Sequence, residues 1–309
     1  MSDGKSVYQI VTDKIIELLD QGIVPWHKPW RSASFNMPIS VHGHRYRGIN
    51  IFLLAARSMA DSFSSPIWLT FKQANEMGGG IKPGEKGQLV VFWKMLKIDG
   101  KNEMNEEVKK NIPLLRYYTV FNFEQTAGVK LPKKMQAIQD AVTDIDDVYE
   151  GGAREEQAIA QAEAIIKGYV NGPKVVFKKG AQALYNTVTD VIQLARKVDF
   201  ESVEAYYTTF FHEIGHSTGH PDRLARKVAG EFNHFGDQKY AEEELVAEMT
   251  AAFLSGEAGI DTQVEQAAAY IKNWKQRLAD DPKLIVQVAA KAQKAADLVL
   301  GREFETKES

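Results

Sequence analysis

The segment Phe211-His212-Glu213-Ile214-Gly215-His216 places two histidines four residues apart, with a glutamate directly after the first. On a helix this spacing puts both imidazoles on one face, where they can share a metal ion. The glutamate can then reach a water as general base, the arrangement used in zinc-dependent peptide hydrolysis. A catalytic zinc takes three protein ligands and keeps one position open. The 309-residue chain contains no cysteine. That excludes a Cys-ligated finger, an iron–sulfur site, a disulfide scaffold and a thiol nucleophile, and it restricts the third ligand to His or a carboxylate.

Two carboxylates compete for that place. Glu244 lies in Ala241-Glu242-Glu243-Glu244-Leu245-Val246-Ala247-Glu248, while Asp222 completes H-E-x-x-H-x-x-G-x-x-D from His212. The second pattern has metzincin-like spacing, but with Asp where those proteins carry His. Glu244 is favoured because Glu248, its i+4 neighbour, can then orient a ligand histidine from behind. Glu242 and Glu243 read as a solvated helix face. The expected set is therefore His212, His216 and Glu244 as ligands of Zn2+ or another divalent ion. Glu213 is expected to take a proton from water and deliver it to the leaving amine.

These residues need helices to position them. Ser202 can cap the N-terminus of the first, and Gly219 with Pro221 can end it. Val203, Tyr207, Phe210 and Ile214 form its buried stripe, with His212 and His216 on the other side. In the second helix Ala241, Leu245, Met249 and Ala252 face the core, and Glu244 and Glu248 lie on the flank.

A different chemistry is written upstream. Gly22-Ile23-Val24-Pro25-Trp26-His27-Lys28-Pro29-Trp30-Arg31 sets two tryptophans among prolines and cations, and Arg45-Tyr46-Arg47 sets an aromatic between two arginines. Splayed bases stack on exposed aromatics while cations follow phosphates, without regard to base sequence. Trp26, Lys28, Trp30, Arg31, Arg45, Tyr46 and Arg47 are candidates for single-stranded DNA contact, with Lys72, Lys82 and Lys86 as further cations. The glycine- and lysine-rich turn Gly80–Gly87 has no Walker A pattern. Trp68 and Trp93, in more regular segments, are expected in the core.

Charge divides the chain in the same place. The overall net charge is −3, but residues 1–130 carry 17 Lys and Arg against 12 Asp and Glu, and the rest carry 21 against 29. A basic, aromatic-rich module followed by an acidic one predicts an α+β N-terminal domain over 1–130 and a linker over 131–155. A mostly helical domain over 156–301 and a solvated tail over 302–309 complete the division. Helices are expected at 6–20, 49–62 and 70–77. Strands are expected at 89–97 and 115–123 around a polar loop 99–112, and near 174–178 and 188–194. The apolar runs are too short to span a bilayer and the N-terminus lacks an apolar signal core, so a cytoplasmic location is expected.

With both segments in hand, the chain resembles the ArdC antirestriction family carried by conjugative plasmids. The likeness rests on Gly22-x-x-Pro25-Trp26-x-Lys28-Pro29-Trp30, Tyr46-Arg47-Gly48-Ile49-Asn50, Trp68 through Ala74, and Val120-Phe121-Asn122-x-Glu124-Gln125. It continues through Ala183-x-Tyr185 with Asp190, His212 through His220, and Phe235-Gly236 through Glu248. The resemblance implies an N-terminal single-stranded-DNA-binding domain, akin to one in TraC-type primases, and a C-terminal zincin-like metallopeptidase domain. It also implies Glu244 as third ligand and protection of incoming plasmid DNA from host restriction. A protein of the restriction system is then a candidate substrate. The alternatives are a shield that coats the strand with a structural metal domain, and a cytoplasmic peptidase without a DNA role.

Overall fold

The computed structural model describes residues 4–27, 37–101, 107–148, 153–226, 238–260 and 268–303. The first module begins with α1 (Val7–Asp20), capped by the Ser6 hydroxyl, whose Val11, Ile15 and Leu19 are buried. Next come β1 (Ile39–Ser40), α2 (Ile49–Asp61), β2 (Ile67–Leu69), α3 (Phe71–Glu76) and β3 (Gly80–Ile81). A long hairpin of β4 (Gln88–Lys101) and β5 (Glu107–Asn122) follows, then β6 (Thr126–Ala127). One sheet has the order β1-β2-β5-β4, and β3 pairs with β6. The second module holds α4 (Lys133–Val148), α5 (Ala153–Gly168), β7 (Lys174–Phe177), β8 (Leu184–Asn186) and β9 (Val191–Leu194). It closes with α6 (Val203–Ser217), α7 (Gln238–Ala258), α8 (Ala268–Asp280) and α9 (Leu284–Val299). Its small sheet has the order β7-β9-β8, which leaves β8 at an edge. The architecture is α+β with a mostly helical C-terminal part. No helix among the described residues is long and apolar enough to cross a membrane.

Short polar motifs fix the joints. Thr70 and Gln73 form a reciprocal capping box at the start of α3. Asn122 and Gln125 do the same after β5, while Glu124 accepts from the Ser64 and Ser65 amides at 2.7 and 2.6 Å. The Trp68–Ala74 and Val120–Gln125 motifs are therefore local folding signals.

Three expectations need correction. The polar loop 99–112 is strand for most of its length, because pairing continues through Lys101↔Glu107. Residues 133–148 of the expected linker are helix α4, and Met135 and Val142 on it are buried. Charge obscured an apolar stripe that also includes Ile138, and Met135 packs with Val41, Ile67, Leu69 and Ala74. Arg302, at the start of the expected tail, pairs bidentately with Glu257 at 2.8 and 2.6 Å.

The two modules share a core. Val11, Ile15, Trp26, Phe52 and Val91 of the first belong to the same apolar cluster as Phe211, Phe253, Trp274 and Ala289 of the second. Phe52 stacks on Phe253 with centroids 4.9 Å apart, a ring pair worth about 1 kcal/mol beyond its buried area.

Candidate metal centre

Helix α6 starts where the Ser202 hydroxyl accepts from the Ala205 amide at 3.1 Å. Tyr206, Tyr207, Phe210, Phe211 and Ile214 are buried, which holds the helix in the core along most of its length. Gly215, inside the His-Glu-x-x-His segment, lies at the crossing with α7. A Cβ there would sit 2.9 Å from Ala247 Cα and 3.1 Å from its carbonyl oxygen. Glycine thus lets the two helices approach closely enough for Glu244, one turn from Ala247, to meet the imidazoles.

His212 Nε2 and His216 Nε2 are 3.0 Å apart. Glu244 Oε2 lies 3.6 Å from His212 Nε2, and Oε1 lies 3.5 Å from His216 Nε2. Ligand atoms about 2.0–2.1 Å from one tetrahedral ion lie about 3.3 Å from one another. The donor set therefore fits a single divalent ion, and these three residues offer ligand atoms that all lie within 4.8 Å of one another. Asp222 is elsewhere: it is 89% exposed and faces His220 at 3.7 Å. Burial would raise the Glu244 carboxyl, but the His212 and His216 imidazoles and the Tyr240 hydroxyl outweigh it and bring it to about 2. Glu213 is buried beside the set, and that burial pushes its carboxyl above the ordinary value despite the neighbouring imidazoles. Edge strand β8 packs beside α6, the helix that carries Glu213.

Behind these three side chains stand residues whose roles differ from those expected. Glu243 is not on a solvated face. It is buried, its Oε1 is 3.9 Å from His216 Nδ1, and Arg226 grips it at 3.0 and 2.5 Å. The same guanidinium donates to the Gly215 carbonyl at 2.9 Å and to Thr218 Oγ1 at 2.8 Å. Arg223 donates to the Ser217 carbonyl at 2.7 Å and pairs with Asp190, which also accepts from Tyr185 at 2.7 Å. Two cations therefore satisfy the C-terminal carbonyls of α6. Glu242 does stay at the surface, paired with Lys291. Glu248 Oε2 accepts from Trp26 Nε1 at 3.0 Å and from the Tyr270 hydroxyl. The Trp26 bond ties Glu248 to the first module and the Tyr270 bond ties it to α8, so Glu248 does not stand behind a histidine of the set as expected, although its charge favours the protonated form of His212.

Two family models match the chain: the N-terminal domain of anti-restriction factor ArdC over residues 5–121, and a zincin-like metallopeptidase over 160–291. The metal-free crystal structure of the antirestriction ArdC protein from R388 plasmid is 36% identical. It matches with a TM-score of 0.71 over 96% of this chain and 97% of that one. The chain belongs to the ArdC antirestriction family. A Mn(II)-bound structure of the R388 protein matches this ArdC-family chain with the same TM-score, 0.71, at 34% identity, covering 96% of this chain and 98% of that one. The uncharacterized protein y4eC of Sinorhizobium fredii (strain NBRC 101917 / NGR234) is 30% identical over 94% of this chain and 90% of its own length. A DNA primase TraC of Escherichia coli is 34% identical over the whole of this chain, which spans 20% of that relative's length. In a second TraC, 35% identical, the share is 28%.

The expected DNA contacts of this ArdC-family chain fare differently. Trp26 is only 2% exposed, against Trp274 and under Glu248, so it is not an open stacking platform. Its indole needed a buried acceptor, and Glu248 and Tyr270 surround it. Arg45 pairs with Glu257 at 2.6 Å and Arg47 with Asp297, both on the second module. In the same motif the Gly48 amide donates to Gln293 at 2.8 Å and the Asn50 side chain bridges the Val91 amide and carbonyl. The Tyr46–Asn50 motif is therefore a seam inside the molecule. Tyr46 is half-buried and packs against Leu54, Trp68, Val90 and Val120. Lys72 is exposed beside Glu76, Lys82 Nζ donates to the Glu124 carbonyl at 2.8 Å, and Lys86 is exposed. Lys28, Trp30 and Arg31 lie outside the described residues. Trp68 is buried as expected, whereas Trp93 is 48% exposed on the hairpin and touches Tyr8 edge-on.

Proposed function

We propose that this chain protects incoming DNA from restriction in the cytoplasm by binding it as a single strand and acting as a metal-dependent peptidase on protein at or near that DNA. The observation that carries the peptidase reading is Glu213, buried and intact beside the converging His212, His216 and Glu244. Those three would hold the ion, Zn2+ or another divalent metal. When bound it supplies Lewis-acid polarisation and a water that is acidic near neutral pH. Glu213 lies in a poorly solvated position with a raised carboxyl affinity for protons, which suits a group that takes a proton from water and passes it to a leaving amine. Edge strand β8, which packs beside α6, supports an extended peptide as the substrate class, since an unpaired strand edge offers main-chain bonds to another chain. The basic first module supports the DNA part of the reading.

The test is a divalent-metal-dependent cleavage assay on restriction-system proteins, with wild type beside Glu213→Gln. Loss of cleavage by about 100-fold or more with the metal retained is expected for removal of a general base. In parallel, DNA transfer into a restricting host should lose protection with Glu213→Gln. Protection that survives this change would assign it to strand coating alone.

A further inference from the structure

We infer that the face of the β4–β5 hairpin bearing Phe92, Lys94, Arg116 and Tyr118 is the surface on which single-stranded DNA lies. Bases stack on the two rings and phosphates meet the two cations. The inference rests on the reading that the first module binds single strands, and it moves the contact away from the residues the sequence suggested.

Strand register decides which side chains share this face. Phe92 lies opposite Arg116, Lys94 opposite Leu114 and Val90 opposite Tyr118. Side chains of directly paired residues project to the same side. Val90 and Val120 are buried at its base, against Leu54 and Trp68. Towards the tip the same face opens to solvent, with Phe92 41% and Tyr118 38% exposed. Their rings meet edge-to-face with centroids 5.6 Å apart. This chain buries Trp26, Trp68 and Phe52, so open rings on a regular sheet call for a partner.

Charge identifies that partner. Strands β4 and β5 together carry six basic residues against two acidic ones, Asp99 and Glu107. Neither Lys94 nor Arg116 is paired with a carboxylate among the described residues, in contrast to Arg45 and Arg47. Aromatic rings alternating with cations on a twisted strand pair suit a polymer of flat bases and regular negative charge. The opposite face carries Trp93 and Tyr117 opposite Leu115 and Val91, and Trp93 already contacts Tyr8.

The experiment is an anisotropy titration of fluorescein-labelled oligothymidine with the full chain at several salt concentrations, each variant first checked for an unchanged thermal melt. Phe92→Ala with Arg116→Ala should weaken binding about tenfold or more. It should also lower the slope of log K against log salt by about 0.7, the value for one lost phosphate contact on a single strand. Phe92→Tyr should restore the stacking part, and Trp93→Ala should stay within about twofold of wild type. If wild type binds and the double variant binds as tightly, the assignment of this face is overturned while the DNA reading stands. If Trp93→Ala is the damaging change, the opposite face is the surface and the assignment is again overturned. If wild type binds no oligonucleotide even at low salt, the single-strand reading of the module falls, and this inference with it.

Discussion

Arg226 is a hub at the residue scale. One guanidinium holds Glu243 with two hydrogen bonds and also satisfies Gly215 O and Thr218 Oγ1 at the end of α6. Both partners of the ion pair are nearly out of solvent. Removing one partner of such a pair leaves an uncompensated buried charge, at a cost of about 3 kcal/mol or more. Arg226→Ala is therefore expected to lower the urea unfolding midpoint by an amount equivalent to about 3 kcal/mol. Combining it with Glu243→Gln should recover part of that loss, which a double-mutant cycle would read as coupling. The sequence could not show this. Glu243 sits in a run of three acids with no local mark that separates it from Glu242, and only the packing of α7 against the segment after α6 and against α9 brings Arg226 to one and Lys291 to the other. The histidines and Glu213 were legible because their spacing alone implies their geometry. Glu244 was favoured over Asp222 through its i+4 neighbour Glu248, yet Glu248 accepts from Trp26 and Tyr270, and the carboxylate that faces His216 Nδ1 is Glu243.

Elements carry the next level of control. Helix α6 was legible from its Ser202 cap and apolar stripe, and α1 and α2 stand where helices were expected at 6–20 and 49–62. The crossing with α7 was not, because a close approach is a property of two elements. Gly215→Ala tests it. With Ala247 Cα at 2.9 Å from the added Cβ, α6 and α7 must separate. Glu244 should then move away from His212 and His216, and divalent-metal affinity should fall about tenfold or more, the scale of a disturbed ligand environment. Stability should fall by about 1–3 kcal/mol, as for overpacked cores. Calorimetric metal titration and chemical unfolding would read the two effects separately. The hairpin was underestimated for a related reason: its polar tip has loop composition, and only cross-strand pairing makes it strand. In α4, charge hid an apolar stripe.

At the scale of the whole molecule, the division of charge between the halves was visible in the sequence, but the way they are joined was not. Arg45, Arg47, Gly48 and Trp26 of the first module reach Glu257, Asp297, Gln293 and Glu248 of the second. Cations and an indole that read as DNA contacts are thus engaged with acids of the other half, and one apolar cluster runs through both. A continuous core predicts that differential scanning calorimetry of the full chain gives one cooperative transition. Two well-separated transitions would mean that the modules fold independently. The hydrogen bond from Trp26 to Glu248, one turn from Glu244, also joins the first module to the helix that carries Glu244.

The proposal that His212, His216 and Glu244 hold one divalent ion is tested most directly by the metal content per chain after dialysis against Zn2+ or Mn2+, measured for wild type, Glu244→Ala and Glu213→Gln. One tightly held ion is expected in wild type and in Glu213→Gln, and its loss in Glu244→Ala. An ion retained at full occupancy in Glu244→Ala, or no ion in folded wild type, would contradict it.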